Sequence, residues 1–210
     1  MDEAVHRALA KWPNVPACYG WLALDRRGRW RMRDEHAQAH GLLGDIVRNA
    51  ALKAFIDRNY ERDADGAWFF QNGPQRVFVN LEATPYVLLI APTPDGRSLQ
   101  CSTHTGAAVP EVHTAYVDDA GNFYLAFANA LGEQIGLVCD RDLPTLLECL
   151  RSPDGQPPGP QETLDLLAES PFALTLALPF AQTPLRLHSL HAQDLAGRFD
   201  FIAQPTPRAA

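Results

Sequence analysis

Along the first sixty residues the spacing of apolar positions changes twice, and each change predicts a different element. Val5, Leu9 and Trp12 recur at i, i+4 and i+7, which predicts a short helix over residues 2–12. Pro13, Asn14 and Pro16 then stop it. From residue 18 to 34 the period becomes two. Tyr19, Trp21 and Ala23 alternate, a polar turn follows at Asp25–Gly28, and Trp30 and Met32 then alternate with arginines. This is the pattern of a β-hairpin, with Gly28 free to take the positive φ of a tight corner. Residues 35–48 show no regular period and end on Ile46 and Val47. A second helix is expected from a cap at Asn49 to about Tyr60, with Leu52, Phe55 and Ile56 on its buried stripe and Lys53 and Asp57 paired on its wet side.

The stretch DADGAWFFQNGPQRVFVNLE (63–82) reads as two strands around a turn, with Trp68 and Phe70 of one parity and Phe69 of the other. If both faces are covered, this aromatic density is core; if one is open, Trp68 beside Arg76 forms a groove for a planar ligand or peptide. A fold of packed units favours core. Pro85 closes the strand, and Tyr86–Ile90 reads as a more central one. Further strands are expected at Ser98–Ser102, Val112–Asp118, Phe123–Phe127 and Gln134–Val138, with a helix at Leu143–Leu150. SPDGQPPGPQ (152–161) has the composition of a linker. Beyond it come a short helix near Glu162–Ala168, strands near 173–178, 185–190 and 199–203, and a frayed tail, QPTPRAA.

The corners RRGRWRM, ADGAWFF and DAGNFYL each place a glycine two residues before an aromatic ring. Each is a polar turn feeding a strand whose first inward residue is large. Their recurrence predicts a β-rich α+β fold of repeated hairpin-plus-helix units forming antiparallel sheets, at spacings too uneven for a solenoid. The expected organisation is a first unit over 1–100, a related second over 101–151, the 152–161 linker and a strand-rich segment over 162–210, all of which could form one compact domain. From Arg27 to Ile90 the chain resembles a set of uncharacterised proteobacterial domain-of-unknown-function proteins. The shared order is a Gly-x-Trp turn (Gly28–Trp30), a helix (Asn49–Tyr60), a second glycine-aromatic turn (Asp65–Phe70) and a V-x-L-E-x-x-P-Y-V run (Val79–Val87). The second half, around Thr103–Thr105 and Leu125, matches loosely. The resemblance implies repeated α+β motifs with a ligand-binding or signalling role, and it supplies no catalytic residues to carry over.

Composition narrows the partners. A length of 210 residues, 46% of them apolar, can bury a core without staples. No apolar run approaches the roughly 18 residues of a membrane span or resembles a signal peptide, so a cytoplasmic protein with no membrane partner is expected. Cys18, Cys101, Cys139 and Cys149 contain no C-x-x-C pair and read as small buried residues. The net charge of −7 is uneven: residues 1–105 carry +1 and residues 106–210 carry −8. Such a chain is a poor ligand for nucleic acid, whose binding rests on neutralising phosphates.

The sharpest chemistry is DRRGRWRMRDE (25–35). On a strand, Arg29, Arg31 and Arg33 share one face while Trp30 and Met32 face the core, and three forked guanidiniums could hold a small anionic ligand or an acidic protein partner. The alternative for such a strand is an edge guarded by charge. His36 and His40 stand at i, i+4, the helical spacing of a metal pair, but no helix is predicted there and no third ligand is identifiable, Glu35 and Asp45 being the ones that could be proposed. Cys101 and His104 sit close in sequence, but on a strand they would point to opposite faces. The expected function is therefore a non-enzymatic ligand- or partner-binding module using Arg29, Arg31, Arg33, Trp68 and Arg76, without catalytic residues, metal or cofactor. The alternative is a hydrolase or metalloenzyme with a histidine-centred site. Pairing of exposed edge strands into a homodimer is a third expectation.

Overall fold

The computed structural model describes residues 2–168 and 171–207; the last three residues of the tail expected to fray, 208–210, lie outside the described residues. The chain forms two compact units, one made of residues 1–85 with 200–210 and the other of 86–199. The Pro/Gly-rich stretch 152–161 lies within the second. No described helix is long and apolar enough to cross a membrane.

The first unit contains α1 (Glu3–Lys11), β1 (Cys18–Leu24), β2 (Trp30–Met32), α2 (Glu35–Ala39), β3 (Asp45–Ile46), α3 (Ala50–Arg58), β4 (Tyr60–Arg62), β5 (Trp68–Asn72) and β6 (Gln75–Leu81). Its six strands form one sheet in the order β3-β2-β1-β6-β5-β4. The second unit contains β7 (Tyr86–Pro92), β8 (Leu99–Thr103), β9 (Ala108–Val109), β10 (Thr114–Val117), β11 (Phe123–Asn129), β12 (Gly132–Val138), α4 (Leu143–Leu147), β13 (Leu150–Arg151), α5 (Pro160–Ala168), β14 (Thr175–Leu176), β15 (Leu185–Ser189) and α6 (Leu195–Arg198). Its nine strands run β13-β14-β15-β10-β11-β12-β7-β8-β9. The protein is β-rich α+β. Hairpins and meanders supply most pairings, while β1–β6, β10–β15 and β12–β7 are parallel crossovers.

The glycine corners share one hydrogen-bond plan. At Asp25, Asp63 and Asp118 a carboxylate oxygen accepts the backbone N–H groups two and four residues ahead. The N–H of the same aspartate reaches the carbonyl four residues on, and the glycine three residues ahead donates back to the aspartate carbonyl. Thr103 repeats the backbone plan with its hydroxyl in place of the carboxylate. This is the three-residue hairpin loop that ends in a left-handed residue, and aspartate serves it by satisfying amides the strands leave over.

In the first unit, register places Leu22, Leu24, Trp30, Val79 and Leu81 on one face of the sheet, where all five are buried. Helix α3 packs there. Its Asn49 cap accepts Leu52 N–H, the Phe55 ring meets Phe70 edge-on, and Asp57 accepts the indole N–H of Trp30 at 2.7 Å. The opposite face holds Phe69 and Phe78, also buried, with Tyr19 stacked on Phe78 at 4.5 Å and the Arg76 guanidinium 4.7 Å over the Phe69 ring. Both faces of the aromatic run are therefore core. The returning segment from Asp200 is tied to the same sheet, through Ile202 N–H to the Gly66 carbonyl and Leu81 N–H to the Ala203 carbonyl.

Candidate functional site

The three arginines in and beside β2, Arg29, Arg31 and Arg33, do not form a solvent-facing stripe. Asp25 is 3% exposed, and its carboxylate receives Nε of both Arg29 and Arg31 at 2.8 Å. Arg31 also donates to the Gly44 carbonyl. Arg33, 9% exposed, donates Nε to the Leu42 carbonyl at 2.8 Å, with longer bonds from its Nη atoms to the carbonyls of Gly20 and Ala37. The physical reason is that residues 34–44 pass over the end of β2 with few apolar groups to bury, so the guanidiniums take up their backbone carbonyls. Met32, expected in the core with Trp30, is instead 48% exposed, while Trp30 is buried under α3. The strand ends at Met32, one residue short of the full arginine alternation.

The same loop creates a groove of about 560 Å³. Trp21 and Met32 come from β1 and β2; Leu42, Leu43 and Asp45 come from the loop and β3; Arg33, Asp34 and His36 complete the polar lining. Three features hold the loop close. Gly44 has φ +80°, and a Cβ there would stand 2.1 Å from the Met32 carbonyl oxygen, so no larger residue fits. Asp34 caps α2 by accepting Ala37 N–H at 2.8 Å, and Gln38 donates from its side chain to the Arg33 carbonyl. Trp21 and Leu42, 40% and 50% exposed, leave much of their apolar surface in water.

The remaining candidate residues are dispersed. Trp68 is buried beside the Tyr60 ring, on the face opposite Arg76, and neither lines this groove. His36 and His40 do come together, with ring centroids 4.2 Å apart, because residues 35–39 are helical where the sequence pattern predicts no regular element. Among the described residues no group of three or more His, Cys, Asp or Glu side chains could hold a metal ion. Cys101 is buried in β8, where burial and then the nearby Asp142 carboxylate push its thiol up to about 12. The ring of His104 instead approaches Val87 N–H. Trp21, Leu42 and Leu43 were not singled out by sequence reasoning. The available signal was two adjacent leucines between Gly41 and Gly44, in a segment with no period to bury both.

A family model described as protein of unknown function (DUF2946) matches residues 1–206. The chain belongs to that family. The likeness to uncharacterised domain-of-unknown-function proteins read from Arg27–Ile90 thus extends over nearly the whole DUF2946 chain. No curated protein matches it. Among solved structures it is similar to a DUF1285 family protein from Silicibacter pomeroyi DSS-3, at 16% identity over 87% of each chain with a TM-score of 0.48. It is also similar to a DUF1285 family protein from Shewanella baltica OS155, at 16% identity over 60% of this chain and 88% of that one, with a TM-score of 0.39.

Proposed function

We propose that this DUF2946 chain is a non-enzymatic binding module, and that the groove between β1, β2 and the 34–45 loop receives a small ligand with an apolar body. One observation carries the reading: Trp21, Met32 and Leu42, each at least 40% exposed, line the same concavity. Scattered exposed apolar residues are ordinary, but convergence in a concave site is how ligand pockets are lined. A volume of about 560 Å³ suits a small molecule. The bonds from Arg31 and Arg33 to loop carbonyls hold the groove open before a ligand arrives, which lowers the entropic cost of binding.

The test uses the neutral dye N-phenyl-1-naphthylamine. Saturable one-to-one binding is expected, with energy transfer from tryptophan to the dye. Leu42→Asn removes about half of a leucine's apolar contact and should weaken binding about tenfold, on a scale of about 1.5–3 kcal/mol for a fully buried side chain. Because Leu42 is exposed in the free protein, the variant should unfold at the wild-type urea concentration. Absence of saturable binding, or affinity unchanged in Leu42→Asn, overturns the reading.

A further inference from the structure

We infer that the ligand of this groove is a carboxylic acid with an apolar body, its carboxylate seated on Arg33. The inference rests on the groove being the binding site and adds the charge of what binds there.

Arg33 lines the groove and is more than nine-tenths buried. A guanidinium has five N–H donors. Three are taken, all by neutral backbone carbonyls: Leu42 at 2.8 Å, Gly20 at 3.3 Å and Ala37 at 3.5 Å. Two N–H groups, one on each Nη, have no acceptor among the described residues. Arg29 and Arg31 share the Asp25 carboxylate, whereas Arg33 has no ion-pair partner among the described residues. A buried cation held only by neutral dipoles is costly, and a carboxylate is the partner whose two oxygens match the two terminal nitrogens. The apolar lining beside that cation selects the rest of the molecule: a single anionic head with a hydrocarbon or aromatic body.

The polar lining limits the charge. Asp34 already spends an oxygen on the α2 cap, and Asp45 is exposed at the groove with no side-chain hydrogen-bond or ion-pair partner among the described residues. Two rim carboxylates oppose a multiply charged ligand such as a phosphate ester more than a monoanion.

Octanoate, 1-octanol and octylamine share one apolar body and differ in head group, so their comparison on the unmodified full chain at neutral pH, by displacement of N-phenyl-1-naphthylamine, needs no arginine variant that fails to fold. Octanoate should bind at least tenfold more tightly than octanol, with octylamine weakest, as expected for a hydrogen bond to a charged group. Asp45→Asn should tighten octanoate and leave octanol unchanged, and Leu42→Asn should weaken octanoate and octanol alike. If octanol competes as well as octanoate, the groove stands and the carboxylate assignment falls. If neither displaces the dye, or Leu42→Asn leaves octanoate unaffected, the binding site itself is wrong and the inference falls with it.

Discussion

Replacing Asp25 with alanine tests whether Arg29 and Arg31, just before and within β2, serve the fold. Its carboxylate, 3% exposed, gathers four donors: the backbone N–H of Arg27 and Arg29 on one oxygen and Nε of Arg29 and Arg31 on the other, all within 3.0 Å. Hydrogen bonds to a charged group contribute about 1.5–3 kcal/mol each by deletion, but they do not add. The Arg29 side chain is 40% exposed and would rehydrate, so its share is discounted. Arg31 is mostly buried and would lose the one carboxylate it meets among the described residues. The expected loss is about 3 kcal/mol, at the low end for breaking a buried pair. Asp25→Asn keeps an acceptor for the two turn amides but turns an NH2 group toward the two Nε–H groups, losing both guanidinium bonds with the charge, so most of that loss is expected to remain. All four tryptophans lie between residues 12 and 68, so urea unfolding followed by tryptophan fluorescence reads this unit. With a slope of about 1.5 kcal/mol per molar urea, the alanine variant's midpoint should fall by about 2 M. The pH dependence gives a second arm. Burial pushes the Asp25 carboxyl up, but the Arg29 N–H, then the Arg31 and Arg29 side chains and the Arg27 N–H, outweigh it and hold it below its ordinary value. A carboxyl lowered on folding contributes stability that is complete above its unfolded value of 3.8 and is lost as pH falls through its lower folded value. Asp25→Ala should remove that part of the acid sensitivity. A loss below about 1 kcal/mol, or an asparagine variant as stable as the wild type, would refute the reasoning.

Two further outcomes are expected. Gly66→Ala places a Cβ 2.6 Å from the Asp200 carbonyl oxygen at φ +89°, whereas Gly121→Ala at φ +77° meets nothing within 4 Å. The second should cost only the left-handed penalty of about 1–2 kcal/mol and the first clearly more, measured by thermal unfolding in far-ultraviolet circular dichroism; equal losses would show that the returning segment yields. With 5,5′-dithiobis(2-nitrobenzoate) at pH 8, native protein should release one equivalent of thiolate, from half-buried Cys18, while Cys101, Cys139 and Cys149 react only in urea. Fast labelling of Cys101, whose thiol is pushed up to about 12, would contradict its buried position in β8.

What the sequence made legible was local. The corners at Asp25, Asp63 and Asp118 announced themselves because aspartate and glycine at fixed offsets satisfy a turn's own amides, whatever the strands do next. Helix α3 was legible for a similar reason: its cap and its Lys53–Asp57 pair at 2.8 Å are one-turn interactions. The fate of the arginines was not, because period two says which residues share a face and nothing about what that face meets. For Arg33 and Arg31, acceptors 9 and 13 residues away at Leu42 and Gly44, on a segment with no period of its own, decide it. The parallel join of β1 to β6, more than fifty residues apart in sequence, has no local signal either. Residues of the candidate groove were missed for the same reason: a leucine in an aperiodic loop has no assigned face until the loop has found its support.

Arg29, Arg31 and Arg33 also show why charge at a regular spacing is a poor guide to a binding surface. Arg29 and Arg31 neutralise a buried aspartate, so the sheet end depends on them and they have little left to offer a ligand. Arg33 spends its contacts on carbonyls, which satisfy hydrogen bonds and leave its charge uncancelled. Pinning the loop needs only donors, and a neutral side chain could supply some of them without the expense of burying a cation. What a guanidinium adds is a charge and two further N–H groups beside an apolar cleft. Stability and recognition therefore separate along β2: changes at Asp25 should act on unfolding and leave head-group preference in place wherever the protein remains folded, whereas Asp45→Asn should act on head-group preference and leave unfolding in place. A variant set in which both properties move together at both positions would mean that the loop, and not the charge on Arg33, is what the groove reads.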